Sequence, residues 1–88
     1  MRESEIERYF VKRVKEAGGF SFKFISPGVR GVPDRIAILN SSVYFVELKA
    51  PEKVPRPEQL RMHKRMRAHG ADVRVLSSKE DVDKLIED

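Results

Sequence analysis

The stretch that decides the fold runs from Gly31 to Ala50, GVPDRIAILNSSVYFVELKA. Asp34 opens an apolar run, Ile36-Ala37-Ile38-Leu39. Asn40-Ser41-Ser42 then supplies a turn, and a second apolar run from Val43 to Leu48 contains Glu47 and is followed by Lys49. Two such runs around a short polar turn read as a β-hairpin. With the turn about Ser41 the strands are antiparallel and partners keep a nearly constant index sum, so the residues near Asp34 lie opposite those from Glu47 to Lys49. Period-two alternation puts Glu47 and Lys49 on one face. Two carboxylates and an amine at one edge of a small sheet make a place for a hard divalent cation and an activated water.

Each residue also has a plainer reading. Asp34 after Pro33 fits a turn residue. Glu47 interrupts Val43-Tyr44-Phe45-Val46 and Leu48, a run that otherwise describes a strand covered on both faces. An ionised carboxylate there is costly unless it is paired or bound to metal, and a Glu47–Lys49 ion pair is the simpler of those two remedies.

Pro33-Asp34 followed by Glu47-Leu48-Lys49 resembles the signature of the PD-(D/E)XK nucleases, and Gly31-Val32-Pro33-Asp34-Arg35 with Pro57-Glu58-Gln59 is similar to their VRR-NUC branch. An upstream Glu7, Ser26-Pro27-Gly28 before the motif and Gln59 after it extend the resemblance over nearly the whole chain, in the form of a stand-alone minimal domain. The resemblance implies a metal-dependent nuclease acting on DNA, with Mg2+ or Mn2+ as cofactor. It implies Asp34, Glu47 and the carbonyl of Leu48 as metal ligands, with Glu7 completing the set or serving a second metal. Lys49 would orient the attacking water and offset charge in the transition state, and Gln59 would hold the water or the phosphate. The ends expected are 5′-phosphate and 3′-hydroxyl.

Eighty-eight residues make one domain, 1–88, with no room for a second. A chain this small buries only roughly 60 to 65% of its unfolded surface, so its core is thin and a second subunit would add to it. The absence of cysteine excludes disulfides, thiolate zinc sites and cysteine nucleophiles. No run approaches the roughly 18 apolar residues of a membrane span, and Met1-Arg2-Glu3-Ser4-Glu5 is too charged to open a signal peptide. The expectation is a soluble protein without a membrane partner, working in the cytoplasm, in that of the host if a phage encodes it.

Eighteen Lys and Arg against 14 Asp and Glu give a net charge of +4 and a pI near 9.6, which points to polyanions as partners. The last eleven residues, from Ser78, hold five acids and two lysines, so the basic excess belongs to the part that carries the motif.

From Glu3 to Ala17 apolar residues recur at Ile6, Phe10, Val14 and Ala17, which predicts a helix stopped by Gly18-Gly19. Glu7 sits beside its apolar stripe, and a glutamate in a first turn also complements the helix dipole. Phe20 to Ile25 alternates as a strand, with its phenylalanines expected in the core. The Gly- and Pro-rich loop from Ser26 to Pro33 can bring backbone amides and Arg30 near a phosphate; Ser26 either binds phosphate or caps the turn. Three prolines between Pro51 and Pro57 make a semi-rigid connector. Pro57 opens a helix to about His69 with few apolar residues and many bases, Arg56, Arg61, Lys64, Arg65, Arg67 and, when protonated, His63. Arg61, Lys64 and Arg65 are the candidate phosphate contacts, with a merely solvated face as the plainer reading. Val73, Val75 and Leu76 read as a strand, and Ser78 with Asp81 as the cap of a last helix through Val82, Leu85 and Ile86.

The resulting order, αβββαβα, matches an α/β, restriction-endonuclease-like core, a mixed sheet flanked by helices. His63 and His69 stand six apart, not the four that place two zinc ligands on one helix face. Two rivals remain: a non-catalytic nucleic-acid-binding module on the same fold, and a basic protein-interaction domain, which leaves Glu47 without a reason. A single site on a thin core suggests a homodimer acting on branched DNA such as a four-way junction, whose two-fold symmetry a dimer matches. The hairpin edge and the first helix are the candidate dimer surfaces.

Overall fold

A computed structural model describes all 88 residues, and the hairpin is its centre. Asn40 and Ser41 take φ of 51° and 61°, closing strand β2 (Arg35–Leu39) onto β3 (Ser42–Leu48). Positive φ at both positions of a two-residue loop matches the twist of the strands it joins. The register runs from Leu39 opposite Ser42 to Arg35 opposite Val46, and its continuation sets Asp34 opposite Glu47.

Helix α1 (Glu3–Glu16) precedes edge strand β1 (Phe20–Lys23), which pairs antiparallel with β2. After β3 come α2 (Pro57–Ala68), β4 (Val73–Leu76) and α3 (Lys79–Glu87). β4 lies parallel to β3, so the sheet is mixed, in the order β1-β2-β3-β4. The parallel pair needs a crossover, and the proline connector with α2 supplies it. The αβββαβα order and mixed sheet expected from the sequence are the ones observed. No helix is long and apolar enough to cross a membrane.

One face of the sheet carries the core. Ala37, Leu39, Tyr44, Val46, Leu48 and Leu76 meet Ile6, Phe10 and Val14 of α1 and Val82 and Leu85 of α3. The hydroxyl of Tyr9 donates to Asp83 at 2.6 Å and Arg13 pairs with the same carboxylate, tying α1 to α3. The Ser78 hydroxyl caps α3 by accepting from the Asp81 amide at 3.0 Å.

The other face is covered only in part, and here one expectation is corrected. Phe20 and Phe22 do not enter the core; they stay 58% and 43% exposed and stack with ring centroids 6.3 Å apart. The strand pairs β1 with β2, but no helix lies over that half of the face, so alternation marks two sides without filling both. Leu60 of α2 is likewise exposed, and the side chains that α2 buries most deeply are Gln59 and His63.

The loop before Asp34 is fixed by contact with α2. Gly31 has φ of +83°, and a methyl group on it would collide with the backbone carbonyl of Glu58. Only glycine satisfies both conditions without displacing the first turn of α2. Gly31→Ala should therefore lower unfolding stability by about 1–3 kcal/mol, the usual range for a strained backbone position. Urea denaturation of the two proteins measures it, and an unchanged midpoint would mean that the loop and helix can separate freely.

Candidate active site

Asp34 and Glu47 face each other because the hairpin register puts them there, and both lie on the sheet face opposite the core. The Asp34 Oδ2 accepts a hydrogen bond from the Leu48 amide at 2.9 Å, which anchors the carboxylate across the two strands. Its backbone carbonyl accepts from the Phe24 amide at 2.8 Å, holding the end of β1 beside it.

Glu47 is only 1% exposed and is the most deeply buried carboxylate of the chain. Its Oε2 accepts from Gln59 Nε2 at 3.0 Å and lies 3.5 Å from Lys49 Nζ. Its Oε1 has no hydrogen-bond donor. Burial raises the Glu47 pKa, the Asp34 carboxylate raises it further, Lys49 opposes both, and the balance lies at about 7.

Gln59 is oriented at both ends of its amide. Its Oε1 accepts from the Arg56 backbone amide at 2.8 Å, capping the start of α2, which leaves Nε2 to face Glu47. The side chain expected to hold a water or phosphate thus holds the carboxylate.

His63, one turn further along α2, is the site neighbour that sequence reasoning missed. It is fully buried, and Nε2 stands 3.6 Å from Glu47 Oε1, beyond hydrogen-bonding distance. Burial, followed by Arg67, holds its pKa below the ordinary value, so His63 is neutral and leaves the count of bases on that helix. The spacing from Gln59, i to i+4, was the available signal. Arg67 is tied to β4, since Nε and Nη2 donate to the Val73 carbonyl at 3.2 and 2.8 Å.

The other expected residues fall in two places. Glu7 lines the same cavity of about 360 Å3 as Asp34, together with Glu3 and Lys23. Its Oε2 accepts from Arg35 Nη1 at 3.0 Å, so it stands across the cavity in an ion pair. Leu48 contributes its amide to Asp34 while its side chain enters the core. Arg30, Arg61 and Arg65 converge on a separate cleft of about 420 Å3 that also contains Glu58. Lys64 is exposed outside that cleft, and the Ser26 carbonyl accepts from the Val29 amide at 3.2 Å within the loop turn.

No cluster of three histidines or carboxylates is present. The residues still fit a hard divalent cation: two carboxylates repel one another, and a buried oxygen of Glu47 lacks a donor. Such an ion accepts two carboxylates and keeps waters in its remaining positions, as Mg2+ commonly does.

The pH response of the metal-free protein tests this electrostatic picture. Folded Glu47 holds its proton up to about pH 7, whereas its ordinary value is 4.5. The folded state therefore binds the proton more tightly, and stability falls as pH rises through that window. With a chelator present, the melting temperature should drop from pH 5 to pH 8, and Glu47→Gln should remove a clear part of the drop. Equal slopes in both proteins would show that Glu47 titrates normally.

Comparison with known proteins places this arrangement in a wider group. The chain superposes on a solved structure described as "VRR_NUC domain" with a TM-score of 0.88 and 40% identity, covering 97% of this chain and 94% of that one. It is 49% identical over 81 residues to "Putative nuclease p44" of Acyrthosiphon pisum secondary endosymbiont phage 1, covering 91% of this chain and 87% of the relative. No family model matches.

Proposed function

This chain belongs to the VRR-NUC nuclease family, and we propose that it is a metal-dependent DNA endonuclease whose centre is Asp34 and Glu47 with Lys49 beside them. The observation that carries this reading is the buried Glu47, facing a second carboxylate and 3.5 Å from an ammonium. A structural ion pair needs neither the second acid nor the oxygen left without a donor.

Asp34 and Glu47 would hold Mg2+ or Mn2+, with the Leu48 carbonyl as a third ligand and Glu7 acting from across the cavity. Bound there, the metal supplies Lewis acidity toward the scissile phosphate and lowers the pKa of a coordinated water. Lys49 contributes a positive charge on the same face, where it can orient the attacking water and offset charge on the phosphoryl oxygens. Gln59 holds one Glu47 oxygen, and the other, which has no donor, would be available to a metal. His63, neutral and buried, fills the space behind Glu47 without adding charge.

The substrate proposed is branched DNA, and the working unit a homodimer acting inside the cell. The uncovered sheet face offers the dimer surface: Phe20, Phe22 and Val43 are exposed there, next to half-buried Ile36 and Ile38. Contiguous apolar surface of this kind is characteristic of an interface. It replaces the first helix as the candidate, because that helix presents mainly charge.

Cleavage should require Mg2+ or Mn2+ and stop with a chelator. Asp34→Asn, Glu47→Gln and Lys49→Ala should each reduce it by roughly 10² or more, the scale of removing a charge-stabilising group. Wild-type cutting by Glu47→Gln would overturn the site assignment, and metal-independent DNA binding without cleavage would favour the non-catalytic module. Light scattering should give a dimer, and Phe20→Glu with Phe22→Glu a monomer. Equal cutting of a four-way junction and a linear duplex would remove the preference for branched DNA.

A further inference from the structure

The cations of this chain differ in how far they are already neutralised. In the α2 cleft, Glu58 lies among the arginines and pairs with Arg56 at 3.0 Å. Its own backbone amide holds its pKa down, and Arg56, Arg30 and Arg61 lower it further. A phosphate entering that cleft meets a carboxylate already in place.

Along α1 the balance is reversed. Arg8, Lys12 and Lys15 recur at four and three residues, so they share one face and span about 10 Å at 1.5 Å per residue. With Lys23 of β1 they line a groove of about 560 Å3. None of these four cations makes an ion pair. The groove's one carboxylate, Glu7, is already taken up by Arg35. Arg35 itself is 9% exposed, and its Nε has no hydrogen-bond partner.

The groove also leads somewhere. Glu7 and Lys23 line both it and the cavity that contains Asp34, so the two spaces adjoin. A strand lying along α1 would therefore be led to the cavity that Asp34 lines, at the edge of the site. About three phosphates fit a 10 Å span at 3.4 Å of duplex axis per charge on one strand.

We propose that the groove between α1 and β1 is the principal track for the DNA backbone, with Arg8, Lys12, Lys15 and Lys23 contacting successive phosphates of the strand that enters the Asp34–Glu47 site. The assignment rests on the nuclease reading above. It adds a binding surface on the side of the site away from α2, and gives the arginine cleft the lesser part. Contacts of this type position the duplex without reading bases.

The test compares Lys12→Ala/Lys15→Ala with Arg61→Ala/Arg65→Ala. Fluorescence anisotropy follows binding of a labelled four-way junction and a labelled linear duplex from 50 to 200 mM salt, with chelator present. All four positions are exposed, and matching melting temperatures confirm that the fold is kept. The α1 pair should lose affinity by about tenfold at 100 mM salt, and its log–log salt slope should flatten by up to about 1.8, since each lost phosphate contact removes about 0.9. The α2 pair should lose less on both measures, and Glu58→Gln should bind more tightly than the unaltered protein. An equal or greater loss from the α2 pair, or wild-type binding by the α1 pair, overturns the groove assignment and leaves the nuclease reading standing. Absence of salt-dependent DNA binding by the unaltered protein overturns both.

Discussion

The architecture depends on one costly group, the buried carboxylate of Glu47. Removing an ionised carboxylate from water costs several kcal/mol even after the surroundings relax. The chain meets that cost with polar contacts from two directions: Gln59 from α2 and Lys49 just past the end of β3. The position of α2 follows from this. Its deeply buried residues are a glutamine and a histidine, so it is placed against the sheet by the needs of the carboxylate as much as by apolar burial. Gly31 then lets the loop before Asp34 rest on the same first turn, and both acids are referenced to one short helix.

The turn at Asn40 and Ser41 is the second constraint. A slip of one residue in the β2–β3 register would send Glu47 into the apolar core and Val46 and Leu48 to the site face. Asparagine visits the left-handed region readily, while serine there is unfavourable. The cost is accepted because the alternative register would bury the acid among Ile6, Phe10 and Val14 with nothing to pair it.

Much of this was legible in the chain. The hairpin was written in two apolar runs about a polar turn, and the index sum set the residues near Asp34 opposite those from Glu47 to Lys49, which the observed register narrows to Glu47. The α3 cap and the stop after α1 were local signals that the structure repeats. What was not legible was which side of a strand a helix would cover. Phe20 and Phe22 alternate as core residues do, yet their side of β1 stays open, because the decision belongs to the path of α2 far along the chain. His63 stands among bases on its helix and counts as one only when protonated; its burial depends on the tertiary contact with Glu47. The α1 bases were visible too, but their meaning required Lys23 of β1 to be seen beside them.

Charge at the site is arranged by separation. Burial and then repulsion from Asp34 raise the Glu47 pKa, and two such acids would also repel a phosphodiester, so on the proposed reading a polyanion would reach them only if cations carried it there and a metal neutralised the acids. The Glu7–Arg35 pair stands where the basic groove gives way to the acidic cavity, and it belongs to both. Left alone, Glu7 would extend the acidic region outward and weaken the track. Paired with Arg35, it presents a nearly neutral boundary between the basic groove and the acidic cavity.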